Sequence, residues 1–159
     1  MSEKAVWDKE KGEIRVLGHR HTALDAQALC DRLTTLVGTK VAEVVMNNLE
    51  FELGKEDAAR ARQARPEATV KQVLDFLIES DRLSGVGIPS VNLPETSQGP
   101  IFVVILNPSV VGTVGAAKCL LFSWWAGALS TLLGRELEIK EVSYDQQKNA
   151  MKCRIDSRG

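Results

Sequence analysis

Aromatic residues make up only 5% of this chain, and tyrosine occurs once, so any place where rings gather stands out. Cysteine is scarce as well. Cys30, Cys119 and Cys153 are odd in number and widely spaced, which excludes a disulfide framework and a CxxC metal knuckle. An excess of one charge is also missing. Twenty basic residues against 21 acidic ones leave a net charge of −1, so no global field draws the chain to nucleic acid or to an anionic membrane. The local cluster Arg60, Arg62 and Arg65 follows Glu56 and Asp57 and reads as a solvated helix face. The opening residues MSEKAVWDKEKGE are charged and hold no apolar core, so no signal peptide is expected and a cytoplasmic setting is.

Recognisable catalytic machinery is absent too. Ser123, Ser130 and Ser143 lack a nucleophile-elbow context, and neither His19 nor His21 stands in a triad arrangement. The His19-x-His21 pair could share a metal, but no third ligand is near in sequence. The glycines of VGTVGAA and SGVGIP have the wrong spacing for a dinucleotide fingerprint. Enzyme chemistry therefore has no local support, and no cofactor is expected.

What the chain does have is a long apolar stretch, Val110 to Leu133, with Lys118 as its one charge. It passes a length test for a membrane span. The central lysine and the interspersed Gly112, Gly115, Gly127, Ser123 and Ser130 argue instead for a buried core helix, so no membrane span is expected.

The rest of the chain can be read around that helix. VWDKEKGEIRVL predicts two short extended segments about Lys11-Gly12. A helix is expected from near Thr22, with Thr22 and Asp25 as a capping box, running to Gly38. A second helix is expected from Lys40 to Leu53, its apolar positions being Val41, Val44, Val45, Leu49 and Leu53, with Gly54 as its end or a kink. Residues 55–64 are helical by propensity but polar, and Pro66 is expected to start another amphipathic helix bearing Val70, Val73, Leu74, Leu77 and Ile78. SGVGIPSVNL suits a bent or edge strand, and IFVVIL, Ile101 to Leu106, a central strand covered on both faces. Ser109 is placed to cap the long helix. ELEIKEV then reads as a strand with one wet face, DQQKN as a hairpin turn and AMKCRI as the last strand. The expected fold is α+β: an antiparallel sheet packed against several helices, one of them long, central and apolar and followed by a C-terminal β-hairpin. At 159 residues, one domain over 1–159 is expected.

Within the long helix, Gly112, Gly115, Ala116, Cys119, Ser123, Ala126, Gly127 and Ser130 recur at steps of three and four. Such a flat stripe admits a close neighbour: a sheet, a helix, a second subunit or a planar ligand. Packing onto the chain's own sheet is the preferred expectation. Phe122, Trp124 and Trp125 form the largest aromatic cluster, and aromatics beside small residues are what an apolar pocket needs. Lys118 must reach water, pair with an acid or meet something acidic that binds there, and a cation–π contact with Phe122 or Trp125 is allowed by spacing.

The segment Lys118 to Ile155 resembles the C-terminal half of the 4-vinyl reductase domain family. Cys119, Ala126-Gly127, Gly134, Glu141, Tyr144 and Cys153 stand near that family's pattern of helix cysteine, small-residue helix, terminal glycine, E-x-x-C strand and closing cysteine. Gly85, Gly87, the apolar strand and Asn107 fit the upstream layout. The resemblance implies an α/β fold similar to that of transport-particle tethering subunits, and a homodimer. It also implies functions among aromatic sensing, hydrocarbon binding and bacteriochlorophyll vinyl-group reduction. Zinc-bearing members use cysteines and the strand glutamate. Here Tyr144 replaces the second strand ligand, and Cys119 and Cys153 are about one residue out of register, so no structural zinc is expected.

The leading expectation is thus a non-enzymatic, stand-alone sensor or carrier for a small apolar or aromatic molecule, with Lys118, Phe122, Trp124 and Trp125 as its ligand-binding residues. The alternatives are a scaffold module of a larger assembly and an accessory protein in tetrapyrrole vinyl-group reduction.

Overall fold

The computed structural model describes the backbone of residues 5–8, 13–16, 19–21, 25–95 and 99–159, with side chains from residue 25 onward. Three short strands come first: β1 (Ala5–Asp8), β2 (Glu13–Val16) and β3 (His19–His21), paired antiparallel in that order. The two expected segments about Lys11-Gly12 are β1 and β2. β3 was not anticipated, and the side chains of His19 and His21 lie outside the description.

Helix α1 (Ala26–Val37) starts later than expected. Asp25 alone is its N-cap, its carboxylate accepting from the Ala28 amide at 2.9 Å, while Thr22 lies outside the described residues. Gly38, at φ +79°, ends α1 as expected and leads straight into α2 (Thr39–Gln63). That second helix does not stop at Leu53. It passes through Gly54 without a break, because its polar second half carries its own supports: Lys55 pairs with Glu52, Arg60 with Asp57, and Ala58 and Ala61 are buried.

Helix α3 (Val70–Ser84) begins at a full capping box between Thr69 and Gln72, not at Pro66. Reciprocal satisfaction of both ends of the box fixes the start, and Pro66 falls in the preceding turn.

The main sheet has the order β4-β5-β7-β6, all antiparallel: β4 (Ile88–Asn92), β5 (Ile101–Leu106), β6 (Leu137–Asp145) and β7 (Ala150–Ser157). β4 is the expected edge strand and β5 is internal. β5 is not covered on both faces, however. Ile101, Val103 and Ile105 are buried, whereas Phe102 and Val104 are half-buried and Leu106 is exposed. Among the described residues one side of the sheet meets helices and the other does not, so an all-apolar strand still has a wet face.

The long helix is α4 (Gly115–Leu133). Residues 110–114 are irregular, and Ser109 does not cap it: Val114 is the N-cap residue and makes no side-chain cap bond. α4 is long and apolar enough to cross a membrane by composition, yet most of it is buried against its own chain. Phe122, Trp125, Leu129 and Leu132 pack with Val73, Leu74 and Leu77 of α3 and with Val103, Met151, Cys153 and Ile155 of the sheet. On its other side lies α2.

Candidate functional site

Most of the small-residue stripe of α4 faces α2 instead of the sheet, while at its far end the Ser130 hydroxyl accepts from the Leu137 amide at the start of β6. Contacts advance together along both helices: Lys118 with Glu43, Ser123 with Asn47, Gly127 with Phe51 and Thr131 with Lys55. The two helices therefore run parallel. At the crossing they touch through backbone. A Cβ on Gly127 would lie 1.9 Å from the Phe51 carbonyl oxygen, and one on Gly54 would lie 2.0 Å from that of Trp124. Gly54, read from sequence as a stop, is a contact point. Near the start of α4, Ala116 and Cys119 close a second small cluster with Cys30, Ala42 and Met46.

This close approach places the adjacent indoles of Trp124 and Trp125 in edge-to-face contact, with centroids 4.9 Å apart and planes at 89°. Trp125 is fully buried, and its Nε1–H donates to Asp81 Oδ2 of α3 at 2.8 Å. Trp124 is half-buried and donates to Asp57 Oδ2 of α2 at 2.9 Å. Each indole N–H thus has a carboxylate acceptor, as burial of that donor requires.

A cavity of about 340 Å³ opens beside Trp124. Leu120, Leu121 and Trp124 of α4, Glu50 of α2, Asp81 and Ser84 of α3, and Ala26 of α1 surround it. Gly85, Val86 and Ser109 complete the lining. Asp81 is densely surrounded by protein while keeping part of its surface open to the cavity. Burial pushes its carboxyl up to about 7, against the opposing effect of the Trp125 hydrogen bond. Burial, then the charges of Asp81 and Asp57, push Glu50 up to about 7 as well. No lysine, arginine or histidine lines this cavity among the described residues.

Lys118 lines a second cavity of about 730 Å³ between α2, the start of α4 and β6. Its ammonium is paired with Glu43 at 2.5 Å, and it makes no cation–π contact with Phe122 or Trp125. Of the four residues expected to bind ligand, then, Trp124 lines the first cavity and Lys118 the second. Phe122 and Trp125 are enclosed in the core.

The positions of the family's zinc ligands do not form a site. Cys119 belongs to the small cluster with Cys30, and Cys153 is buried in the main core. Glu141 is exposed at a register irregularity of β6, and the Tyr144 hydroxyl donates to Asn149 Oδ1. Among the described residues no group of three or more His, Cys, Asp or Glu is placed to hold a metal. Burial raises all three thiols, Cys153 to about 12, which leaves them protonated and poor ligands.

Sequence reasoning missed Glu50, Asp57 and Asp81. Each stands among other charged residues on its helix, and only the folded arrangement shows that two accept from indoles and that Glu50 and Asp81 share a cavity. A tryptophan pair in a long apolar helix does signal that acceptors must exist somewhere.

No protein-family model and no curated protein sequence matches the chain. Among solved structures, the fold is similar to that of the phenol-responsive sensory domain of the transcription activator PoxR, solved with phenol. The TM-score is 0.72 and the identity 14%, over 97% of this chain and 85% of that one. A looser likeness is to a Cs H-NOX mutant, at TM-score 0.47 and 13% identity over 90% of this chain and 78% of that one. The first comparison establishes a shared α+β fold.

Proposed function

We propose that this chain is a non-enzymatic small-molecule-binding domain, a sensor or carrier for an apolar or aromatic ligand held in the 340 Å³ cavity beside Trp124. That cavity is the observation on which the reading rests. Its volume falls in the range of small-molecule sites, and even about 150 Å³ accepts benzene. The PoxR domain, whose fold this chain shares, is phenol-responsive, which supports an aromatic ligand here. In this reading Trp124 touches the ligand, while Phe122 and Trp125 form the wall behind it. Lys118 bounds the larger cavity as a separate candidate surface.

The domain spans residues 1–159, belongs with the 4-vinyl reductase (hydrocarbon-binding) family, works in the cytoplasm and forms a homodimer. An apolar face supports the dimer: Leu36, Val41, Val44, Val45 and Leu49 on α1 and α2 are 46–80% exposed. The same face would serve a scaffold module equally, which is the second reading. Native mass spectrometry followed by denaturing mass spectrometry tests both. A small organic mass lost on denaturation supports the carrier or sensor. A bare dimer, together with no quenching of tryptophan emission by any aromatic compound, overturns it in favour of the scaffold.

A further inference from the structure

The cavity beside Trp124 has a polar character that a site for a neutral hydrocarbon would not need. Two carboxylates from different helices, Glu50 and Asp81, line it, and no basic side chain among the described residues does. Their polar needs are only partly met. Asp81 Oδ2 accepts from the Trp125 indole, while Oδ1 has no partner among the described residues, and Glu50 makes no hydrogen bond or ion pair there. Carboxylate oxygens that are half-buried and face a cavity without a protein donor are open to a donor arriving from outside. Trp124, Leu120 and Leu121 of α4 supply an apolar part of the same lining. An indole can attract cations as well as rings.

Resting on the reading that this cavity holds the ligand, we propose that its occupant is a protonated amine on a small aromatic or aliphatic body. The ammonium is held between Asp81 and Glu50, and the apolar part lies against Trp124. An ammonium supplies up to three N–H donors, enough for both carboxylates at once. It also relieves the repulsion that Asp81 exerts on Glu50, which adds to burial in raising the Glu50 carboxyl. Anionic ligands such as a carboxylate or phenolate would meet two like charges and are rejected.

The test uses three probes of nearly one shape: benzylamine, benzyl alcohol and benzoate. Each is titrated into the full chain at pH 8 by isothermal calorimetry and tryptophan fluorescence. The expected order is benzylamine tightest, at least about tenfold over benzyl alcohol, with benzoate not bound. Glu50→Gln, which disturbs no hydrogen bond, and Asp81→Asn, whose amide oxygen can still accept from Trp125, are each expected to cut the amine preference severalfold. Benzyl alcohol, which is uncharged and offers one donor, should lose less affinity than the amine in both. Equal affinity for amine and alcohol overturns the charge assignment and leaves the cavity as a neutral aromatic site. Failure of all three probes to bind overturns the cavity reading itself, and this proposal with it.

Discussion

Replacing Gly127 by alanine tests the structural element on which the site depends. Away from tertiary contacts the change would stabilise α4 by about 1 kcal/mol through helix propensity. Here the new methyl would lie 1.9 Å from the Phe51 carbonyl oxygen and 2.8 Å from its carbonyl carbon. These are backbone atoms of a continuous helix, so no side-chain rotation relieves the overlap. α2 and α4 must separate by about an ångström, giving up contacts along their whole crossing. Overpacking of this kind costs about 3 kcal/mol at the upper end of the usual range. Less the propensity gain, the net loss is about 2 kcal/mol, or a fall in Tm of about 4–8 °C for a domain of this size. Circular dichroism melts with parallel urea titrations measure it. Gly134→Ala is the control: its added Cβ meets nothing within 4 Å, and only its φ of +64° opposes the change. It should cost about 1 kcal/mol. If Gly127→Ala is as stable as the unaltered chain, the helices do not meet through backbone there. The placement of Trp124, whose own carbonyl lies against Gly54, then loses its basis.

Asp81 gives the chain a definite dependence on pH. Its carboxyl is raised from 3.8 to about 7, so the unfolded state ionises first and stability falls as pH rises between those values, then levels off. The full shift would correspond to about 4 kcal/mol, and partial opening to the cavity reduces this to about 2 kcal/mol. Asp81→Asn should therefore be increasingly stabilised relative to the unaltered chain from pH 4 to pH 8; a difference independent of pH would refute the assignment. Lys118→Met removes one partner of a partly exposed ion pair and should change stability by no more than about 1 kcal/mol, read from urea midpoints. A loss of several kcal/mol would show that the pair is buried more deeply than its exposure indicates. Val45→Asp, on the exposed apolar face, should convert a dimer to a monomer in light scattering and leave the far-ultraviolet spectrum unchanged. A persistent dimer would place the interface elsewhere.

Much of the order of elements could be read from the chain because local physics sets it. Gly38 must end α1, since its φ of +79° suits glycine, and the alternation after Gly134 yields β6, the turn and β7. Boundaries failed where two local signals competed. Pro66 and the Thr69–Gln72 box both mark helix starts, and the box prevailed because it satisfies donors at both its ends. Gly54 looks like a terminator in sequence, and nothing local reveals that a second backbone lies against it.

The site divides along the same line. Sequence alone determined that the largest aromatic cluster, Phe122, Trp124 and Trp125, lies in one apolar helix, that its small residues allow a close neighbour, and that Lys118 needs a partner. Tertiary structure alone decided that the neighbour is α2 running parallel, that Lys118 meets Glu43, and that Glu50 and Asp81 face one cavity beside Trp124. The reason is distance along the chain. Helical periodicity reports which residues share a face of one element, whereas a carboxylate 44 residues from its indole partner is placed by the packing of whole helices.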